Sequence, residues 1–290
     1  MAKSKRTNSK NSAKSRPKAT LSETQSLRYV LVAVLVLILG VGALFVFSDS
    51  FRSRMITKAV SVQKSFKEPL IPGYSVYGID VSKYQSDIEW ENLRVSKTKD
   101  GNYSDVCFMF LKATQGNTGT DPYFPLNFSL AKKHGYLVSA YHLLTPDFSA
   151  EEQAEMFLSE IDVKTLDFPP ILDFEKGIYD KLKTVKARRR FVKLAEEWLS
   201  IVAKKTGVTP IVYASDNSHL KDLSDNMKLY KFWIARYTDE PPVSHQNWLF
   251  WQFSEHGYAN GIKSQVDLDV FNGSYEEFIE YSNTYKKMVN

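Results

Sequence analysis

The chain has 290 residues, which fits one sizeable domain or two small ones, and its 43% hydrophobic and 24% charged residues are typical of a globular protein. The net charge of +5 arises in residues 1–28, which contribute +7, so the rest of the chain stands at −2. The folded part therefore offers no electrostatic case for a nucleic-acid partner, and we expect none; a nucleic-acid arm in the basic tail is the weaker alternative.

The cysteine and histidine residues indicate neither a catalytic thiol nor a metal site. Cys107 is the one cysteine and lies in the apolar run VCFMFLK, which indicates a buried structural thiol and excludes an intrachain disulfide. The histidines are scattered, and none has the H-x-x-x-H spacing of a zinc site. We expect no metal and no cofactor, although a divalent cation held by oxygen atoms alone is a further option.

An apolar segment lies close to the N-terminus. Residues 29–47 carry no charge, and a helix needs about 20 apolar residues to cross a bilayer. A cleaved signal peptide is the alternative, but its apolar region is only about 7–15 residues long and ends at a small-x-small site, which FVFSDSFRS lacks. We expect an uncleaved single-pass anchor in the cell membrane.

The orientation of that anchor follows from the basic residues before it. Positive residues stay on the cytoplasmic side of a membrane. Residues 1–28 are therefore expected to form a basic cytoplasmic tail, and everything after 29–47 is expected on the periplasmic or extracellular side. Residues 48–75 are interpreted as a stalk that leads to a globular domain at 76–285.

Eight apolar runs in that domain predict strands. Most of the runs are continuous rather than alternating, which is typical of strands that are buried on both faces. The predicted strands are 76–82, 105–114, 137–144, 169–176, 210–215, 231–237, 248–254 and 266–271.

Helical segments separate the early strands. Helices are predicted at 124–134, from Ser149 onward, at 184–206 and at 216–228, whereas none is predicted after Tyr237. About five β/α units followed by three strands indicate an α/β fold, an irregular TIM-like barrel. A doubly wound open sheet is the alternative, and no G-x-G-x-x-G follows a strand to support a dinucleotide site.

Acidic residues fall on three of the predicted strands. Asp80 ends the first strand, Asp173 and Glu175 end the fourth, and Asp267 and Asp269 lie in the eighth, which neighbours the first in a closed barrel. Clustered carboxyls repel, so that one stays protonated while another stays charged, and glycoside hydrolysis needs this division. Simple surface exposure of the pair on the fourth strand is the competing interpretation.

Aromatic and amide side chains accompany the acids. Sugars bind by stacking on aromatic rings and by hydrogen bonds, so a group of such residues at one barrel face favours a sugar cleft. Each residue alone is better explained as part of the core. The candidates for substrate binding are Tyr141, Tyr213, Trp233, Tyr237 and Gln252.

Seven motifs, in order, resemble glycoside hydrolase family 25, the Chalaropsis-type lysozymes, over about residues 76–280. They are GIDVSKYQSDIEW (78–90), FLKATQGNTGTDPYFPLNFSLAKKHGYLVSAYH (110–142), PILDFE (170–175), IVYAS (211–215), FWIARY (232–237), WQFSEHG (251–257) and GIKSQVDLDVF (261–271).

The resemblance implies hydrolysis of the β-1,4 bond after N-acetylmuramic acid in peptidoglycan glycan strands. It implies that Glu175 is the general acid, and that Asp173 orients the substrate's acetamido group or acts as nucleophile. Asp80 and Asp267 are implied to be supporting acids of the cleft. The chain departs from the family at Gln115, where Glu is common, so substrate preference could differ.

Three hypotheses follow. The first is a membrane-tethered muramidase that acts as a monomer. The second is a catalytically silent peptidoglycan-binding barrel, against which the retained acids argue. The third is another N-acetylhexosaminide glycosidase of the chitinase type, but FPPILDFE lacks the upstream acids of the D-x-x-D-x-D-x-E run of those enzymes.

Overall fold

The computed structural model describes residues 69–215, 223–242 and 247–290, which belong to a compact unit spanning Ser61–Asn290. The predicted tail and membrane segment, the stalk up to residue 68, and residues 216–222 of a predicted helix lie outside the described residues. Within the described ranges, no helix has the length and hydropathy needed to cross a bilayer.

Strands of the described part form one closed sheet, and they include all eight predicted ones together with the short β2 and β4. They are β1 (Tyr77–Val81), β2 (Arg94–Ser96), β3 (Ser104–Gln115), β4 (Gly119–Thr120), β5 (Leu137–Leu143), β6 (Ile171–Asp173), β7 (Ile211–Ser215), β8 (Lys231–Ala235), β9 (Trp248–Ala259) and β10 (Val266–Phe271).

Three of the predicted helices are present, whereas residues 223–228, the described part of the helix predicted at 216–228, contain turns and the start of a 3₁₀ turn, and the short helix at Lys176–Tyr179 was not predicted. The helices are α1 (Phe124–Lys133), α2 (Ala150–Glu160), α3 (Lys176–Tyr179), α4 (Val185–Thr206) and α5 (Tyr275–Val289), with 3₁₀ turns at Lys83–Gln85, Val163–Thr165 and Met227–Leu229. Ser149 and Glu152 form the expected capping box, and Gly207 ends α4 at a φ of 76°. The expectation of no helix after Tyr237 is wrong, since Ser274 begins α5 with a capping box of its own.

The order of pairing closes the sheet into a barrel and excludes the open-sheet alternative. β1, β3, β5, β6, β7, β8 and β9 pair in parallel in that order. β10 then pairs antiparallel with both β9 and β1. Its N-terminal end therefore lies at the mouth of the barrel, where the carboxyl ends of the parallel strands also lie.

Side chains that point into the barrel form two layers, since every second residue of a strand faces inward. Rings fill the layer below the mouth: Phe108, Phe110, Phe250 and Phe271 from the strands, with Phe168 and Phe278 beneath them. The ring of Phe278, from α5, lies 5.6 Å from that of Phe108 and 5.3 Å from that of Phe271. The last helix therefore closes the floor of the barrel.

Gly78 of β1 is the inward position that leaves room for these rings. A Cβ there would lie 2.4 Å from Cε2 of Phe108, whose ring is fully buried 5.1 Å from Phe110 and 5.0 Å from Phe250. We expect Gly78→Ala to lower the free energy of unfolding by about 2 kcal/mol, because the crowded ring has no space into which to move. Urea denaturation of the purified chain, followed by tryptophan fluorescence, measures this.

Phe108→Leu supplies the control for that clash. Leu is smaller than the ring, so Gly78→Ala should destabilise a Phe108→Leu chain less than it destabilises the wild type. Strictly additive losses in the double variant would show that the clash is not the cause.

Candidate active site

All nine candidate site residues line one cleft of about 290 Å³ at the mouth of the barrel. They are Asp80, Tyr141, Asp173, Glu175, Tyr213, Trp233, Tyr237, Gln252 and Asp267. Asp80 and Asp173 occupy the last inward-facing position of their strands. A second groove, of about 340 Å³, lies beside α1 and is lined by none of them.

The fourth predicted strand ends earlier than expected, and this brings two carboxyls into the cleft. β6 stops at Asp173, and Phe174 turns outward to stack on Phe191 of α4 at 4.9 Å. Glu175 then precedes α3 as its N-cap residue. Asp173 and Glu175 are both partly buried, so the surface interpretation of this pair is wrong.

Asp173 is held in an unusual environment. Burial raises the pKa of its carboxyl well above the usual range, the nearby Glu175 adds to the shift, and Lys112 opposes it. Its Oδ1 atom is buried and has no hydrogen-bond partner among the described residues. An acceptor of this kind is available to a substrate N–H group.

A hydrogen-bonded network fixes Asp80 on the other side of the cleft. Gln252 Nε2 donates to Asp80 Oδ2 at 2.7 Å, and Gln252 Oε1 accepts from Tyr213 OH at 2.8 Å and from Tyr237 OH at 3.0 Å. Burial raises the pKa of Asp80 well above its usual range, with Asp267 adding to the shift. Three of the predicted binding residues therefore also set the position of this acid.

The two acidic residues of β10 lie in different environments. Asp267 lies at an irregularity in the β9–β10 pairing and faces the cleft, opposite Asp80 on β1. Asp269 is fully buried beneath the cleft, where its Oδ1 accepts from Trp233 Nε1 at 2.7 Å. Asp269 therefore holds the indole of Trp233 and does not reach the cleft.

Two charged residues of the cleft were missed by the sequence analysis. Lys112 interrupts the apolar run of β3, a signal that was available, and its Nζ donates to Gln115 Oε1 at 2.8 Å. Burial lowers the pKa of Lys112, while Asp173 opposes that shift. Glu255 was missed because β9 extends five residues beyond the predicted strand, to Ala259.

Burial, followed by the proximity of Glu255, raises the pKa of Asp267 from an ordinary 3.8 to about 6. Between these pH values the folded chain binds a proton that the unfolded chain has lost, so this group favours folding fully below about pH 4, and the benefit disappears as the pH rises through 6. Asp267→Asn is expected to raise Tm by about 3 °C at pH 7 and to leave it unchanged at pH 4.

Thermal unfolding at both pH values tests this, with the exposed Asp100→Asn as the matched control. The control should leave Tm within about 1 °C at either pH, as surface substitutions usually do. A gain for Asp267→Asn that is equal at pH 4 and pH 7 would contradict the assignment of the effect to the carboxyl charge.

The strand order places acids on facing walls. β6, with Asp173, lies three strands from β1 and four from β10 around the barrel, so Asp80 and Asp267 lie across the cleft from it. A glycosidic bond held between these walls would lie next to a carboxylic acid that can donate a proton on one wall. Further carboxyls, charged or protonated, would face it from both walls. This is the arrangement that acid-catalysed cleavage of a glycosidic bond requires.

Comparison with known proteins adds a family and several relatives. The model of the glycosyl hydrolases family 25 matches residues 79–262, a range that contains Asp80, Asp173 and Glu175 and ends before Asp267. The uncharacterized protein YegX of Escherichia coli is 39% identical over 215 residues, 74% of this chain and 76% of that protein.

Two further relatives carry a described activity or structure. Lysozyme M1 of Streptomyces globisporus is 26% identical over 220 residues, 72% of this chain and 71% of that protein. The solved structure of a family 25 glycosyl hydrolase from Bacillus anthracis superposes with a TM-score of 0.61 at 30% identity, covering 73% of this chain and 95% of that chain.

Proposed function

This chain belongs to the glycosyl hydrolases family 25, and from that premise we propose that it is a peptidoglycan muramidase. It hydrolyses the β-1,4 bond between N-acetylmuramic acid and N-acetylglucosamine. The observation that carries the proposal is the cleft itself, in which Asp173 and Glu175 face Asp80 and Asp267 and aromatic side chains complete the lining. The similarity to a protein named a lysozyme supports the same substrate class.

Glu175 acts as the general acid. It follows the end of β6 at the opening of the cleft, is only partly buried, and can therefore exchange protons with solvent between turnovers. It donates a proton to the oxygen of the leaving sugar. General acid catalysis of this kind contributes about 10²–10⁴-fold to a rate.

Asp173 serves the reacting sugar rather than the leaving one. Its buried and unpartnered Oδ1 accepts the N–H of the substrate's acetamido group and holds that group beside the anomeric carbon. Asp80, held by Gln252, and Asp267 stabilise the positive charge that develops on the sugar ring. Tyr237, which is 47% exposed, supplies a surface for a sugar ring, whereas Trp233, fixed by Asp269, is buried and forms the floor beneath it.

The enzyme is tethered to the outer side of the cell membrane and acts as a monomer. Support for the tether comes from the sequence: residues 29–47 are long and apolar enough to span a bilayer, and the basic residues 1–28 favour a cytoplasmic N-terminus. Residues 48–75 would then act as a stalk for the barrel domain at 76–285. Protease added to intact spheroplasts should remove the barrel and spare the tail.

Digestion of purified peptidoglycan tests the activity, with mass spectrometry of the released fragments. Fragments that end in reducing N-acetylmuramic acid are the expected product. Reducing N-acetylglucosamine at the ends would show that a different bond is cut. Binding to the wall without any release, across several wall types, would favour the silent binding barrel instead.

A further inference from the structure

The exposed side of α4 carries a continuous positive surface. Four exposed basic residues follow one another at the i, i+3, i+4 and i+7 spacing that defines one side of a helix. They are Lys186, Arg189, Arg190 and Lys193, here called the basic face of α4. Lys181 and Lys183, also exposed, extend it into the preceding loop, and no acidic residue occurs between 181 and 195.

This pattern destabilises the helix that carries it. The first turns of a helix favour acidic residues, because the N-terminus of the helix is electropositive, yet α4 has none there. Lys186 and Arg190 are like charges four residues apart, as are Arg189 and Lys193, and such pairs are unfavourable. Among the described residues only Lys193 of the basic face has an acidic partner, Glu197 at 3.6 Å. Among the described residues no further contact offsets this cost, which is consistent with a partner outside the chain.

The basic face lies at the end of the barrel that holds the cleft. Helices that follow parallel strands begin at the mouth of the barrel, and the first turns of α4 lie directly behind the strand end that bears the acids. Phe174, between Asp173 and Glu175, stacks on Phe191 of α4 at 4.9 Å and lies 5.7 Å from the ring of Tyr179. The basic face is thus on the outer side of a helix whose buried side packs behind the acid-bearing strand end, at the same end of the barrel as the cleft.

The cleft itself is unsuited to anionic substituents of the substrate. Five carboxyls line it against the single ammonium of Lys112 among the described residues. The carboxyls are Asp80, Asp173, Glu175, Glu255 and Asp267. Peptidoglycan is nonetheless anionic, because each N-acetylmuramic acid bears a short stem peptide with free carboxylates. A positive surface outside the cleft, at the same end of the barrel, is complementary to these groups in charge.

We propose that the basic face of α4 binds the stem-peptide carboxylates of the peptidoglycan strand whose sugars occupy the cleft. The inference rests on the proposed function and adds a second recognition surface to it. Exposed ammonium and guanidinium groups bind carboxylates by charge and, for Arg189 and Arg190, through paired N–H donors. The contribution should fall as ionic strength rises, because these groups are exposed to solvent.

A charge-reversal variant tests the proposal in the full chain, purified in detergent. Lys186→Glu, Arg189→Glu and Arg190→Glu are combined in one variant, and acidic residues in the first turns favour the helix rather than disrupt it. The matched control reverses three exposed lysines at the opposite end of the barrel and outside the α-helices: Lys99 before β3, Lys164 before β6 and Lys231 at the start of β8. Both variants change the net charge equally.

Two substrates separate peptide binding from sugar chemistry: peptidoglycan freed of attached polymers, and the same glycan strands after an amidase has removed the stem peptides. The α4 variant should lose about tenfold in kcat/KM on the peptide-bearing substrate at low salt, which corresponds to about 1.4 kcal/mol. The amidase leaves one lactyl carboxylate on each N-acetylmuramic acid, attached directly to the sugar, so the α4 variant should match the wild type on these strands, and the control should match the wild type on both substrates.

Each alternative outcome is distinct. An equal loss on both substrates, no loss on either, or an equal loss in the control would overturn the assignment of stem peptides to the basic face. Wild-type inactivity on both substrates would instead overturn the proposed muramidase function. A loss that persists at 0.5 M salt would also contradict the proposal, since the Debye length there is well under 8 Å.

Discussion

Glu175→Gln is expected to lower kcat for peptidoglycan hydrolysis by about 10³-fold. Gln keeps the shape of the side chain and its place at the mouth, but it has no proton to donate to the leaving oxygen. KM should change little, because the carboxyl acts on a charge that develops only in the transition state. Release of reducing ends from purified peptidoglycan measures the loss.

Glu255→Gln is the matched control for this experiment. Glu255 is another glutamate of the same cleft, but it lies on β9 and belongs to the opposite wall. Its replacement should keep kcat within about tenfold of the wild type. Thermal unfolding of both variants should remain within about 2 °C of the wild type, as expected for partly or fully exposed positions. A Glu175→Gln enzyme that keeps more than a tenth of the wild-type rate would remove Glu175 from the role of general acid.

Asp173→Asn is expected to combine a large loss of activity with a gain of stability. The amide can no longer accept the acetamido N–H through a charged oxygen, so kcat should fall by about 10²–10³-fold. At neutral pH the buried carboxyl opposes folding, because burial and the nearby Glu175 raise its pKa well above the usual range. Removing the charge should therefore raise Tm at pH 7, and less so as the pH falls.

The opposite signs of the two effects identify a functional acid. Active-site residues are commonly retained at the expense of stability. Asp100→Asn, at an exposed position, should change neither the rate nor Tm. Loss of both activity and stability in Asp173→Asn would instead indicate that Asp173 supports the fold, and catalysis would then have to be assigned elsewhere on the cleft walls.

Much of the barrel could be predicted because a strand that is buried on both faces is a run of apolar residues in the sequence. Most strands that form the wall are continuous apolar runs, and Asp80 and Asp173 interrupt such runs near their C-terminal ends. The direction of β10 could not be predicted, since the alternation of side chains is the same in parallel and antiparallel strands. For that reason the sequence grouped Asp267 with Asp269, whereas the reversed strand places one in the cleft and the other below it.

Two other features depend on tertiary contacts. The N-terminal capping box of α5 was present at Ser274 and Glu277, but its importance lies in Phe278, which fills the barrel floor, and no local pattern shows this. Gln252 was proposed as a sugar ligand from its place near a strand end. In the structure Gln252 also links Asp80 to two tyrosines. Asp80 and Gln252 are 172 residues apart in the chain, so no local pattern shows this contact.

Closure of the barrel by its last strand sets an order of events during synthesis. β1 carries Asp80, but its partners Gln252 and Asp267 arrive only with β9 and β10, and the floor is complete only when α5 follows. A ribosome produces these elements last. A nascent chain that lacks β9 and β10 therefore holds Asp80, Asp173 and Glu175 without Gln252 and Asp267, and wall-cutting activity begins only after the C-terminal segment has been made and has folded. Truncation before residue 271 should leave no partial activity at all.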